Sequence, residues 1–174
     1  MFEEDLKKFI LDVLDFPKAG VVFKDIGPLL GRAALCRKII NVFCYQAKGK
    51  VDAVCGIGNR GFLFGPGIAQ GLDVPFVMVR KCGKLPGKTI FQSYQLEYGE
   101  ATVEISENSI QKGWRMLIHD DILATGGTAE ATAQLLTRLQ VVPTQFSFLI
   151  ELNFLKGREK LLVHSRDIVS LITY

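Results

Sequence analysis

The sequence predicts a doubly wound α/β fold, a mainly parallel sheet flanked by helices, in a single domain over residues 1–174. Three observations carry this. Short runs rich in branched or aromatic residues recur at Val51 to Cys55, Pro75 to Val79, Arg115 to His119 and Gln145 to Ile150, which is how strands read. Gly-bearing turns and helix-like stretches separate them, the alternation that builds βαβ units. The runs are continuously apolar, as strands buried on both faces are. In such sheets ligands bind at the carboxyl ends of the strands, so motifs at those ends carry most weight.

Taken in order, Phe2, Leu6, Phe9, Ile10, Val13 and Leu14 keep helical spacing until Phe16-Pro17-Lys18-Ala19-Gly20 stops it, predicting an amphipathic helix over 2–14. An extended piece, Val21 to Ile26, leads through Gly27-Pro28 to a second helix around Ala33 to Tyr45. The first strand then ends in Gly56-Ile57-Gly58-Asn59-Arg60-Gly61, and the second in Arg80-Lys81. Between Lys81 and Gln92 apolar periodicity is lost while Gly83, Pro86, Gly87 and the basic Lys81, Lys84 and Lys88 accumulate. This stretch reads as a mobile loop beside a hairpin formed by Tyr94 to Tyr98 and Thr102 to Ile105.

Composition narrows the function classes. At 174 residues, 48% hydrophobic and 22% charged, the chain suits one compact core burying roughly two thirds of its unfolded surface. Net charge is only +3 and the basic residues are scattered, which argues against a nucleic-acid or anionic-membrane partner and for a small anionic ligand. Cys36, Cys44, Cys55 and Cys82 form no C-x-x-C pair, and two histidines are too few for a zinc site. Reduced thiols, no apolar leader after Met1 and no run near the ~20 apolar residues of a membrane span predict a cytoplasmic protein.

The third strand exits through Asp120-Asp121-Ile122-Leu123 into Ala124-Thr125-Gly126-Gly127-Thr128, with a helix from Ala129 onward. Adjacent glycines let backbone N–H groups converge, the threonines add hydroxyl donors, and the helix N-terminus favours an anion. A phosphomonoester suits that loop. Two carboxylates beside it would repel phosphate unless they face sugar hydroxyls or a divalent ion. From composition alone, a tight turn with a capping threonine and two solvated aspartates explains the segment equally well.

Asp120 to Thr128 resembles the phosphoribosyl pyrophosphate signature of type I phosphoribosyltransferases. Four further segments resemble the family's adenine-specific branch, in its order along the chain: Asp15-Phe16-Pro17 with Gly20 to Ile26, Arg80 to Gly87, Leu96-Glu97-Tyr98-Gly99, and Leu155 to Lys160. The resemblance implies a small hood from the N- and C-terminal segments, a mobile lid loop, and transfer of the phosphoribosyl group to adenine, giving AMP and pyrophosphate in purine salvage. It places Asp120 and Asp121 on ribose and Ala124, Thr125, Gly126, Gly127 and Thr128 on the 5′-phosphate. Arg60, Arg80, Lys81 and Lys84 fall on pyrophosphate. Val22, Phe23, Lys24 and Leu155 fall around adenine, Glu97 as the catalytic acid/base, and Tyr98 on the lid. Mg²⁺ bound mainly through the substrate, no protein metal ligand, and a homodimer are also implied.

Other readings of these residues remain open. Lys84 and Lys88 read as a solvated basic loop, Glu97 and Tyr98 as an exposed strand pair, and Val22 to Lys24 as a core contact. Gly61 to Gly65 reads as an interface or a buried helix, and His119 as a structural neighbour satisfied locally. Gly56 to Gly61 also satisfies G-x-G-x-x-G, but the next strand ends in Arg80-Lys81 where a dinucleotide site wants an acid, and Pro66-Gly67 disfavours an uninterrupted helix after the turn. In the resembled family that loop carries an acid and a serine before its arginine, so Gly58-Asn59 departs from the pattern while Arg60 matches. Lys24, where the family more often has arginine, is a milder departure. An NADP-dependent oxidoreductase and a non-catalytic nucleotide sensor are the competing functions; the Leu-Glu-Tyr-Gly segment favours turnover over the sensor.

Overall fold

In the computed structural model, which describes residues 2–95 and 99–174, seven strands form one sheet and two more form a small antiparallel ribbon. The chain runs α1 (Phe2–Lys7), β1 (Leu11–Leu14), β2 (Val22–Asp25), α2 (Gly27–Leu30), α3 (Ala33–Ala47), β3 (Ala53–Ile57), α4 (Gly65–Leu72) and β4 (Phe76–Lys81). It continues with β5 (Thr89–Gln95), β6 (Glu100–Ser106), β7 (Arg115–Leu123), α5 (Gly127–Arg138), β8 (Val142–Glu151), α6 (Gly157–Leu161) and β9 (Ile168–Thr173).

The large sheet has the order β5-β6-β4-β3-β7-β8-β9. Its β4, β3, β7, β8 and β9 are parallel, and the β5–β6 hairpin adds antiparallel strands at the β4 edge. From β3 the chain winds outward to β4 and later, from β7, the other way to β8 and β9. The strand order therefore reverses between β3 and β7, where a crevice opens at the carboxyl ends. Arg60, in the segment after β3, pairs there with Asp121 of β7.

Side chains alternate across the sheet. Cys55, Met116, Ile118 and Phe146 pack with Leu135 and Leu136 of α5, while Val54, Leu117 and Leu149 pack with Ile39 and Phe43 of α3 and Ile68 of α4. Both faces are covered, which is why the central strands are apolar throughout.

Three sequence expectations are corrected. The predicted helix over 2–14 ends at Lys7, and Leu11–Leu14 pairs antiparallel with Val22–Asp25. The helical spacing broke down because Val13 and Leu14 are exposed while Leu6 and Ile10 are buried with Phe2 and Phe9 packed beside them; a strand partner outweighed a continued helix. The predicted loop over 81–92 shrinks to 82–88, because Val79, Arg80 and Lys81 pair with β6 and β5 starts at Thr89. Asp120 and Asp121 lie inside β7 and not beyond it, since β8 pairs with that strand as far as Leu123. The sequence reading also missed β9, although Ile168 to Thr173 is a branched apolar run.

The N-terminal segment rests on the C-terminal strand. Glu3 accepts the Thr173 backbone N–H at 3.1 Å, and the Lys24 ammonium stands 3.7 Å from the Tyr174 ring centroid while donating to Asp12 at 2.6 Å. These contacts form the hood.

Candidate active site

Strand β7 delivers the chain to a phosphate-sized loop. Gly126 has φ +77° and caps α5 without a side-chain bond, a conformation that glycine takes at little cost. A cavity of about 160 Å³ is bounded by Asp120, Thr125, Gly126, Gly127, Thr128 and Phe148, with Ala124 also on its wall. The N-terminus of α5 faces it, where the first backbone N–H groups have no partner within the helix. Tyr94 of β5 reaches across so that its hydroxyl lies 3.0 Å from the Thr128 hydroxyl.

The loop is pressed from behind by α6. A Cβ built on Gly126 would lie 2.6 Å from the Gly157 carbonyl oxygen, and one on Gly157 would lie 2.2 Å from that of Ala124. Arg158 fastens α6 through two bonds to the buried Glu151, at 2.9 and 2.6 Å, while the Ser170 hydroxyl donates to the same carboxylate. Burial would raise the Glu151 carboxyl, but Arg158 and Ser170 together hold it below the usual range.

Asp120 and Asp121 diverge because successive strand residues face opposite sides of a sheet. Asp120 lines the cavity; Asp121, 1% exposed, forms an ion pair with Arg60 at 2.5 Å. Burial raises both carboxyls, and the Asp121 charge raises Asp120 further. Arg60 works against the rise at both.

Arg60 is also a hub toward the hood. Its guanidinium donates to the Lys24 carbonyl at 3.4 Å and stands 4.8 Å from the Phe23 ring centroid. Phe23 in turn packs edge-on to Phe16 at 5.2 Å. Val22 and Leu155 are both exposed, and Leu155 lies two residues before the Gly157 contact. The sequence-predicted base segment, Arg60 and the phosphate loop are thus brought into one crevice.

The remaining cations sit on the β4 side. Arg80 donates to the Asn59 side-chain oxygen at 3.0 Å, so the departing residue of the 58–61 turn holds the neighbouring arginine. Gly58 has φ +59°. Gly61 is needed for packing, since a Cβ there would lie 2.5 Å from the Ile57 nitrogen. The helix after this turn starts only at Gly65, with Pro66 in its first turn, where a missing N–H costs nothing. Lys81 and Lys84 are exposed and form no ion pair among the described residues. Glu97 and Tyr98, read from the sequence as catalytic and lid residues, lie outside the described residues.

His119 is fully buried between Phe43 and Phe64, with Nδ1 2.9 Å from the Ser147 hydroxyl. Burial pushes it down to about 3, so it is neutral at physiological pH. Sequence reasoning missed Tyr94 and Phe148 as neighbours of the loop. No local pattern marks them, because each reaches the loop from another element.

Residues 25–143 match the phosphoribosyl transferase domain family. An adenine phosphoribosyltransferase of Cytophaga hutchinsonii is 46% identical over 100% of this chain and 97% of its own length. The crystal structure of adenine phosphoribosyltransferase from Thermoanaerobacter pseudethanolicus superposes with a TM-score of 0.93 at 44% identity, covering 98% of this chain and 99% of that one. That of the Saccharomyces cerevisiae enzyme, complexed with adenine and an imino-altritol bisphosphate, superposes with a TM-score of 0.91 at 38% identity, covering 98% of each chain.

Proposed function

Since the chain belongs to the adenine phosphoribosyltransferases of the phosphoribosyl transferase family, we propose how its residues divide the work of making AMP. The reaction moves the phosphoribosyl group of phosphoribosyl pyrophosphate to adenine, releasing pyrophosphate, and serves purine salvage. The observation that carries the residue assignment is the Asp121–Arg60–Lys24 connection, which joins the phosphate loop to the hood across the switch-point crevice.

Ala124, Thr125, Gly126, Gly127 and Thr128 take the 5′-phosphate through backbone N–H groups and hydroxyls at the start of α5. Asp120 faces the ribose hydroxyls from the cavity wall, and Asp121 serves the ribose side together with its partner Arg60. As the bond to the leaving group breaks, positive charge spreads over the ribose ring and negative charge grows on pyrophosphate. The carboxylates offset the first; Arg60, Arg80, Lys81 and Lys84 offset the second. With its five donors, Arg60 can keep Asp121 while sharing pyrophosphate oxygens. Adenine lies against Phe23, with Leu155 on its other side. Strand β2 pairs only with β1 among the described strands, and because backbone groups alternate between the two edges of a strand, Val22 and Lys24 present theirs on the other edge, where the Lys24 carbonyl also accepts from Arg60. A carbonyl and an N–H there would match the exocyclic amine and ring acceptor of adenine and leave a 6-oxo purine unpaired. Glu97 exchanges a proton with the purine, and Tyr98 closes the lid.

Mg²⁺ is the expected cofactor. Its ligands would be mainly diphosphate oxygens and water. When bound it neutralises part of the leaving group's charge. We assign a homodimer interface to the face of Phe62, Leu63, Phe76 and Met78, where Leu63 and Met78 are 44% and 45% exposed and the two phenylalanines pack edge-on. No described helix is long and apolar enough to cross a membrane, and the free cysteines suit a reducing cytoplasm.

The test is AMP formation from phosphoribosyl pyrophosphate and Mg²⁺, with adenine, hypoxanthine, guanine, orotate and uracil compared. Adenine-selective turnover, lost in Glu97→Gln, is expected. Protein that binds AMP yet turns over no base would overturn the enzymatic reading.

A further inference from the structure

Glu104 lies on β6, opposite Arg80 of β4 and Phe91 of β5, and is 2% exposed. A buried carboxylate ordinarily pairs with a cation, yet among the described residues no Lys, Arg or His forms an ion pair with it. Its partners are backbone groups of the loop over 82–88. The Lys84 and Leu85 N–H groups both donate to Oε1, at 2.7 and 2.8 Å. The Gly83 N–H and the Thr89 hydroxyl also favour the charged form of this carboxylate. Gly83 has φ +79°, the left-handed step that lets consecutive N–H groups point into one concavity, an anion nest. Here the anion is supplied from within the chain. Burial alone would raise this carboxyl, but the Leu85, Lys84 and Gly83 N–H groups with Thr89 outweigh it and hold it below the usual range.

The Lys84 backbone is gripped while its ammonium is exposed and unpaired among the described residues. A loop with two glycines and a proline would otherwise sample many shapes, and each bond to an ionised carboxylate restricts it. We propose that Glu104 is a positioning residue for phosphoribosyl transfer: its buried carboxylate fills the Gly83–Leu85 nest and so holds Lys84 where it meets the pyrophosphate. This rests on the placement of Lys84 on pyrophosphate.

The test compares steady-state kinetics and thermal unfolding of wild type, Glu104→Gln, Glu104→Leu, Lys84→Met and the Glu104→Leu/Lys84→Met double variant. Loss of charge-assisted bonds corresponds to roughly 10- to 100-fold. Glu104→Leu is therefore expected to raise KM for phosphoribosyl pyrophosphate about tenfold while KM for adenine stays put. Glu104→Gln, which keeps an acceptor, should recover part of the loss. The double variant should be no worse than the poorer single variant, because both changes remove the same interaction. Should Glu104→Leu not fold, the same cycle is run with Glu104→Gln. Multiplying effects, equal rises in both KM values, or a folded Glu104 variant with unchanged KM for phosphoribosyl pyrophosphate would each overturn the proposal. Lys84→Met without effect would also overturn it, while wild-type AMP formation in that experiment keeps the proposed function intact.

Discussion

Replacing Gly157 by alanine tests how the phosphate loop is held. Gly157 opens α6 without a positive φ, so helix propensity alone favours alanine by up to ~1 kcal/mol. Packing predicts the opposite sign. The new Cβ would stand 2.2 Å from the Ala124 oxygen, 2.9 Å from the Gly126 nitrogen and 3.0 Å from a Leu123 methyl, whereas ordinary contact begins at 3.4 Å. Loop and helix must therefore separate by about 1.2 Å along the tightest contact. Helix α6 resists retreat, because Arg158 grips Glu151 through two bonds, so much of the shift falls on Ala124 to Gly126. A displacement near 1 Å can cost about 100-fold in rate, and overpacking costs about 1–3 kcal/mol. We expect kcat/KM for phosphoribosyl pyrophosphate to fall about 100-fold, measured as AMP formation at saturating adenine, with Tm lowered by about 2–4 °C per kcal/mol. A variant with wild-type kcat/KM and an equal or higher Tm would refute the reasoning, because propensity would then have outweighed the backbone contact.

Two further outcomes follow from the same geometry. Glu151 has a folded-state pKa below its ordinary value, so its contribution to stability is present above about pH 4.5 and is lost as pH falls through the lowered pKa. Arg158→Met should therefore unfold at lower temperature than wild type at pH 7, with the gap narrowing toward pH 3; calorimetry showing a constant gap would count against the Arg158–Glu151 bond as its source. Asn59→Ala releases the Arg80 guanidinium, and losing one hydrogen bond of about 0.5–1.5 kcal/mol should raise KM for phosphoribosyl pyrophosphate roughly 2- to 10-fold without changing KM for adenine. An unchanged value would mean that Arg80 does not need Asn59.

The strand runs were legible because strands buried on both faces must be apolar, and β3, β4, β7 and β8 each overlap a predicted run. The turn between β7 and α5 was legible for a related reason: a strand exit, adjacent glycines and a following helix are encoded within a dozen consecutive residues. Leu11–Leu14 was misread because apolar residues at helical spacing also suit a short strand, and only the approach of Val22–Asp25 supplied the ladder that decides between them. The ends of β4 and β7 were read short for the same reason, since Arg80 and Asp120 are polar and enter the strands through their neighbours' hydrogen bonds.

By itself, the sequence determined the alternation of strands and helices, the glycine turn before α5 and the kinship carried by five ordered segments, all of which depend on residues close together in the chain. Tertiary structure decided what each charge does. It set Arg60 on Asp121 and Lys24, Asn59 on Arg80, Arg158 on Glu151 and the Glu104 carboxylate under the basic loop. A charged side chain takes whichever partner the fold leaves within reach in place of water, and that choice is made only when distant elements meet across the sheet.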